Sequence, residues 1–191
     1  MIILFVILLI GAGLIFVGCQ ATRSGYESAP YKVVRTAGKF EVRDYPALTV
    51  VETPMANANG DGSFGRLFRF ISGGNEGKQK IAMTTPVFMS GSDSNATMAF
   101  VLPAKFNAAT APKPADGAVT LRELPGGRFA VLRFNGGRST VREAETLASL
   151  QTWLAAQGWK ASGSPVYAYF DPPWTPSFLR RNEVMLRVVA D

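Results

Sequence analysis

The stretch Phe170-Asp171-Pro172-Pro173-Trp174-Thr175-Pro176, followed by Arg180-Arg181-Asn182-Glu183-Val184, decides how the chain is read. Prolines at 172, 173 and 176 lack backbone donors and fix their own φ, so this segment is a stiff loop rather than helix or strand. The alternating run Val184-Met185-Leu186-Arg187-Val188-Val189 follows at once and predicts a strand that anchors the loop's far end. Two readings of the loop stay open. As a clasp, Glu183 pairs an arginine and Trp174 covers the core. As a ligand wall, a stiff aromatic surface stands beside Arg180 and Arg181.

Upstream, Val166-Tyr167-Ala168-Tyr169-Phe170 predicts the partner of that last strand. Before it, Thr140 and Glu143 form a capping box that opens a helix with Leu147, Leu150 and Leu154 inward and Gly158 at its end. The runs 119–123 and 129–134, joined through Pro125-Gly126-Gly127, predict a hairpin. The first half has the same plan. Strand segments fall at 33–35, 40–43 and 47–52, and Ser63 or Asp61 is placed to cap the next helix. Phe64, Leu67, Phe68 and Ile71 recur at i, i+3, i+4 and i+7, which predicts one shared face, and Gly73-Gly74 ends the helix. A strand pair at 81–89 and 97–102 completes this half, and the Pro/Ala segment 108–117 links it to the next. Each half reads strand-strand-helix-strand-strand, as an internal duplication would. The expected fold class is α+β: duplicated units of eight strands forming a distorted antiparallel β-barrel or two facing sheets, with two helices.

Composition narrows the function. A chain of 191 residues that is 47% hydrophobic is one globular domain plus an appendage. The net charge of +6 is spread thinly, without the clustered stripe that phosphate backbones require, so nucleic acid is not an expected partner. An anionic small molecule or an anionic membrane surface suits it better. The chain has no histidine, which removes the usual metal ligand and general base, and His-based hydrolytic triads with them. Cys19 is the single cysteine, so no disulfide or zinc cluster forms within the chain. The carboxylate pairs Glu41/Asp44 and Glu143/Glu145 fall where solvated strand ends or helix faces are expected, and no catalytic residue is assigned.

Residues 1–18 carry no charge and are almost wholly apolar, ending in Phe16-Val17-Gly18-Cys19-Gln20. A small residue before a lone cysteine reads as a bacterial lipoprotein signal peptide, with lipid attached to Cys19 after cleavage. The alternative is an uncleaved N-terminal membrane helix, since the run reaches the ~18 residues that span a bilayer. The first reading places the domain on the periplasmic face of a bacterial envelope. Arg23 and Lys32, with an uncleaved anchor, would favour the cytoplasmic side. The division is 1–19 signal or anchor, 20–29 tether and 30–191 domain.

The run 169–184 resembles the closing segment of the SOUL haem-binding protein family, with its Pro-Pro element and Arg-Arg-Asn-Glu. Lys80-Ile81-Ala82-Met83-Thr84-Thr85-Pro86-Val87 is similar to the same family, as are Tyr31-Lys32-Val33-Val34 and Phe40-Glu41-Val42-Arg43. The resemblance spans roughly 29–190. It implies an architecture shared with multidrug-sensor regulators and a haem or other tetrapyrrole ligand. It further implies that Phe64, Leu67, Phe68 and Ile71 form one wall of the site and Phe178 and Leu179 the other. Lys78, Arg180 or Arg181 would meet the ligand's carboxylates, as guanidinium forks do. The chain departs from histidine-ligating members, so haem would be held non-covalently by apolar sandwiching. Met55, Met83, Met89 and Tyr169 are the residues able to reach iron in principle, and no metal ligand is assigned among them. The resulting expectation is a membrane-tethered protein that carries or buffers its ligand without chemistry. Binding of other amphipathic compounds, or docking of a protein partner, are the alternatives.

Overall fold

The computed structural model describes residues 25–55, 62–92 and 95–189. Cys19, the apolar segment before it and Asp61 lie outside them. From the N-terminus run β1 (Glu27–Ser28), β2 (Lys32–Ala37), β3 (Phe40–Tyr45), β4 (Leu48–Pro54), α1 (Ser63–Ile71), β5 (Thr84–Thr85), β6 (Val87–Ser90) and β7 (Thr97–Val101). The second half holds β8 (Thr120–Leu124), β9 (Gly127–Phe134), α2 (Thr140–Ala156), β10 (Lys160–Tyr169) and β11 (Asn182–Val189). A single 3-10 turn, Ser177–Leu179, sits in the proline loop.

The fold is α+β. Nine strands make one antiparallel sheet in the order β2-β3-β9-β11-β10-β6-β7-β4-β8, and β1 pairs with β5 in parallel beside it. Apart from β2, which extends one edge, exchanging the halves maps this order onto itself: β10, β11 and β9 answer to β6, β7 and β4. The outermost member of each set is borrowed, since β3 pairs with β9 and β8 with β4. The hairpin expected across Pro125-Gly126-Gly127 therefore does not form. Alternation identifies a strand and its faces, but it does not name the partner.

Two short links shape the sheet. Only Pro46 and Ala47 join β3 to β4, and only Pro125 and Gly126 join β8 to β9, although each pair stands six places apart in the order. A flat sheet would separate such strands by about 29 Å, whereas a two-residue link reaches about 10 Å. The sheet must curl, and its concave face closes over Tyr45, Leu48, Val50, Phe88, Val101, Val131, Ala168 and Met185. β2 and β8 remain the two edges and do not pair, so the expected barrel is not closed.

Both helices lie on the outer face. Met89 and Tyr167 are register partners on β6 and β10, hence on one face; Met89 packs into the core under α1 and Tyr167 into that under α2. Neither cap is the one the sequence suggests. α1 is entered through Gly62, whose φ of 73° suits glycine, and Ser63 instead donates its hydroxyl to the Pro54 carbonyl. On α2 the cap is Ser139, which accepts from the Arg142 amide, and Glu143 turns inward.

Where the two links cross, a side chain at Gly126 would bring Cβ to 2.8 Å from the Tyr45 carbonyl oxygen and 2.9 Å from the Ala47 nitrogen. Both are backbone atoms with little freedom to move. Gly126→Ala is expected to cost about 2 kcal/mol, as overpacking typically does, read as a lower urea midpoint with an unchanged m-value.

Candidate functional site

α1 packs on β4 and β7, and α2 on β9, β10 and β11, so β6 is the central strand neither helix covers, and a trench runs over it beside β10. Its direction follows from the flanks of α1. Arg66 bonds Thr53 and Pro54 of β4, and Arg69 faces Asp116 at 3.9 Å, so this flank looks toward the β8 edge. Phe64 and Phe68 occupy the opposite flank. They stack on each other at 6.0 Å, and Phe64 meets Phe100 of β7 edge-on at 5.1 Å. Beyond Phe100 the register continues through Val87 to Tyr169 and Asn182, all on the helix-bearing face. The trench floor is therefore Val87 and Met89 beside Tyr167 and Tyr169.

The far wall is polar. The Tyr169 phenol donates to Glu143 Oε1 at 2.5 Å, and Arg138 Nε stands 3.5 Å from the same oxygen. Burial, reinforced by the Glu143 hydrogen bond and charge, pushes the Tyr169 pKa far up, so the phenol stays protonated as the donor. Burial also raises Tyr167. Sequence reasoning missed Glu143 by reading it as a cap. The available signal was its spacing: 143, 147, 150 and 154 form one continuous stripe.

The proline loop closes one end of this region and is pinned throughout. Arg180 donates to the carbonyls of Thr175 (2.8 Å) and Pro173, Asp171 accepts from the Arg181 amide, and Asn135 donates to the Phe178 carbonyl. Beneath it, on the concave side, lies a buried ion cluster. Glu183, with no exposed surface, accepts both forks of Arg43 at 2.6 and 3.0 Å, and Arg181 at 2.6 Å. Arg43 also lies over the Tyr31 ring, and Arg181 over Phe170. Burial, partly offset by Arg43, pushes Tyr45 up to about 12.

With this geometry in place, the sequence pattern described as SOUL heme-binding protein matches residues 26–187. The chain belongs to the SOUL heme-binding family. No curated protein matches the chain. Among solved structures, this SOUL domain is similar to the EcmrR C-terminal domain, with 14% identity, TM-score 0.58, and coverage of 84% of this chain and 99% of that one. It is likewise similar to a hydrolase from Listeria innocua, with 12% identity, TM-score 0.61, and coverage of 82% and 94%. EcmrR in its DNA complex matches at 13% identity and TM-score 0.60, over 98% of this chain and 70% of that one. At these identities the likeness concerns the fold alone.

The SOUL domain distributes the expected site residues unevenly. Phe64 and Phe68 are 44% and 49% exposed, on the trench flank. Leu67 and Ile71 are instead buried in the core with Phe70, so they offer no surface to a ligand. The i, i+3, i+4, i+7 pattern had placed all four together, but the buried stripe runs through Ser63, Leu67, Phe70 and Ile71. Phe178 is exposed, and Leu179 is half-buried at the loop's end. Arg180 and Arg181 are committed to carbonyls and to Glu183. The loop carrying Lys78 is bound to the 113–115 linker, on the Arg69 side of α1 away from the trench. Trp174 is 75% exposed and covers no core.

Burial alone would raise the Glu183 pKa, but hydrogen bonds and charge from Arg43 and then Arg181 hold it below its ordinary value of 4.5. Its contribution to stability is thus complete above pH 4.5 and is lost as pH falls through the lower folded value. Glu183→Gln leaves the buried Arg43 and the half-buried Arg181 without their shared carboxylate. Chemical denaturation at pH 7 is expected to show a loss of about 3–5 kcal/mol, with a flatter acid-unfolding profile than the parent.

Proposed function

We propose that this SOUL domain is a membrane-tethered carrier that holds haem or a related tetrapyrrole, without chemistry, in the trench between α1 and α2. The observation that carries this reading is the stacked Phe64/Phe68 pair, half-exposed on the trench flank and aimed over β6. Isolated exposed aromatics are ordinary, whereas a paired, preformed aromatic face beside an apolar floor suits a planar guest.

Cavities within the curl are too small to compete. One, bordered by residues 27–30, 47–49 and Phe106, has about 150 Å³; another, between Tyr45, Phe88, Phe129 and Met185, has about 50 Å³. Drug-sized ligands occupy about 300–1,000 Å³. The ligand would therefore lie in the trench, ring faces against Phe64, Phe68, Val87 and Met89. Arg138, 30% exposed beside Glu143, is the cation placed to receive a carboxylate. Without histidine in the chain, apolar contact rather than imidazole would supply most of the affinity. The apolar residues 1–18 and Gly18-Cys19 support a tether at the N-terminus, which as a lipid anchor would hold the domain at the periplasmic face of a bacterial envelope.

Glu143 supports a second reading. A nearly buried carboxylate on the trench wall would also favour an amphipathic cation. Titrations with hemin, iron-free protoporphyrin and a lipophilic cation separate the two. Hemin and protoporphyrin are expected to bind comparably. Phe64→Asp and Phe68→Asp are each expected to weaken both at least tenfold, about 1.4 kcal/mol, with thermal stability nearly unchanged because both side chains are half in water. Unchanged porphyrin binding in both variants would rule the trench out.

A further inference from the structure

The chain enters the domain beside the proline loop. β1 pairs with β5, the Ala29 amide donates to the Thr85 carbonyl at 2.8 Å, and β5 leads through Pro86 to Val87, the register partner of Tyr169. Ala29 and Tyr31 share a core with Phe170, and Arg181 donates to the Tyr31 hydroxyl. Residues 20–24 are all that separate Cys19 from Gly25, a reach of about 20 Å when fully extended. A tether at Cys19 or before it thus holds this end of the domain, loop included, close to the bilayer.

The loop's surface fits that position. Trp174 and Phe178 are 75% and 68% exposed, the most solvent-facing large aromatics among the described residues. They are held out rigidly: prolines fix the backbone, and Arg180 grips the carbonyls of Pro173 and Thr175. A preformed loop loses little conformational entropy on seating. Tryptophan favours the boundary between headgroups and acyl chains, and a net charge of +6 draws the domain to anionic lipid.

We infer that residues 172–179 form a lipid-docking loop that seats Trp174 and Phe178 in the interface of an anionic bilayer. The inference rests on the tethered reading above. Its consequence is that the trench end near Tyr169 faces the membrane, from which a planar amphipathic ligand enters sideways.

The test uses the full-length chain reconstituted in phosphatidylcholine–phosphatidylglycerol vesicles, with and without brominated acyl chains. Subtracting the emission of Trp174→Phe isolates Trp174 from Trp153 and Trp159. The expected result is a blue-shifted difference spectrum that loses most of its intensity to brominated lipid. If the protein floats with vesicles but Trp174 is quenched by aqueous acrylamide and spared by brominated lipid, this inference alone falls. A blue shift without brominated-lipid quenching shows a protein covering the loop and also overturns it. If the full-length chain does not float with vesicles, the tether reading falls and the inference with it.

Discussion

Two dipeptide links, Pro46-Ala47 and Pro125-Gly126, govern the shape of the molecule. Each spans strands six positions apart, so the sheet has to bend until its ends meet where the links cross at Gly126. Bending assigns roles to the two faces. The concave side fills with its own side chains and keeps only small cavities. Both helices are left outside, one over each half, with β6 between them.

The Arg-Arg-Asn-Glu element takes on a different meaning once its partners are known. Arg180 ties the loop's carbonyls, Arg181 and Arg43 share Glu183, and Asn182 donates to the Gly136 carbonyl. All four side chains serve the closure of the proline loop against β3 and the end of β9. A buried cluster of this kind is costly in desolvation and tolerable only when its hydrogen bonds are complete, as these are. The motif that marks the family is thus architectural: its side chains hold the loop and the strand ends together.

Much of the fold could be read in the chain because periodicity reports local geometry. Both helices and the strands of each half lie close to where alternation and i, i+4 spacing put them, and the repeated plan reappears as the symmetric strand order. Partner choice was not readable, since β3 and β8 cross between halves through contacts distant in sequence. The site was only half visible for a related reason. On a nine-residue helix, Phe68 and Phe70 flank the Leu67/Ile71 stripe on either side, so a modest rotation decides which goes inside, and the pattern tolerated both. Glu143 looked like a cap because Thr140 precedes it by three residues, whereas Ser139 takes that task. Trp174 looked like core because it is tryptophan, yet its prolines hold it away from any neighbour it could cover.

The exchange of outer strands also bears on how the chain is made. During synthesis β3 emerges long before β9, the strand that completes its hydrogen bonding. The first half cannot finish its sheet alone, because β4 likewise waits for β8. Nascent chains therefore display open ladder edges until β10 and β11, the last strands, are available to β6 and β9, the situation in which strands pair with wrong neighbours. A sheet that cannot lock prematurely leaves the chain open until synthesis is nearly done.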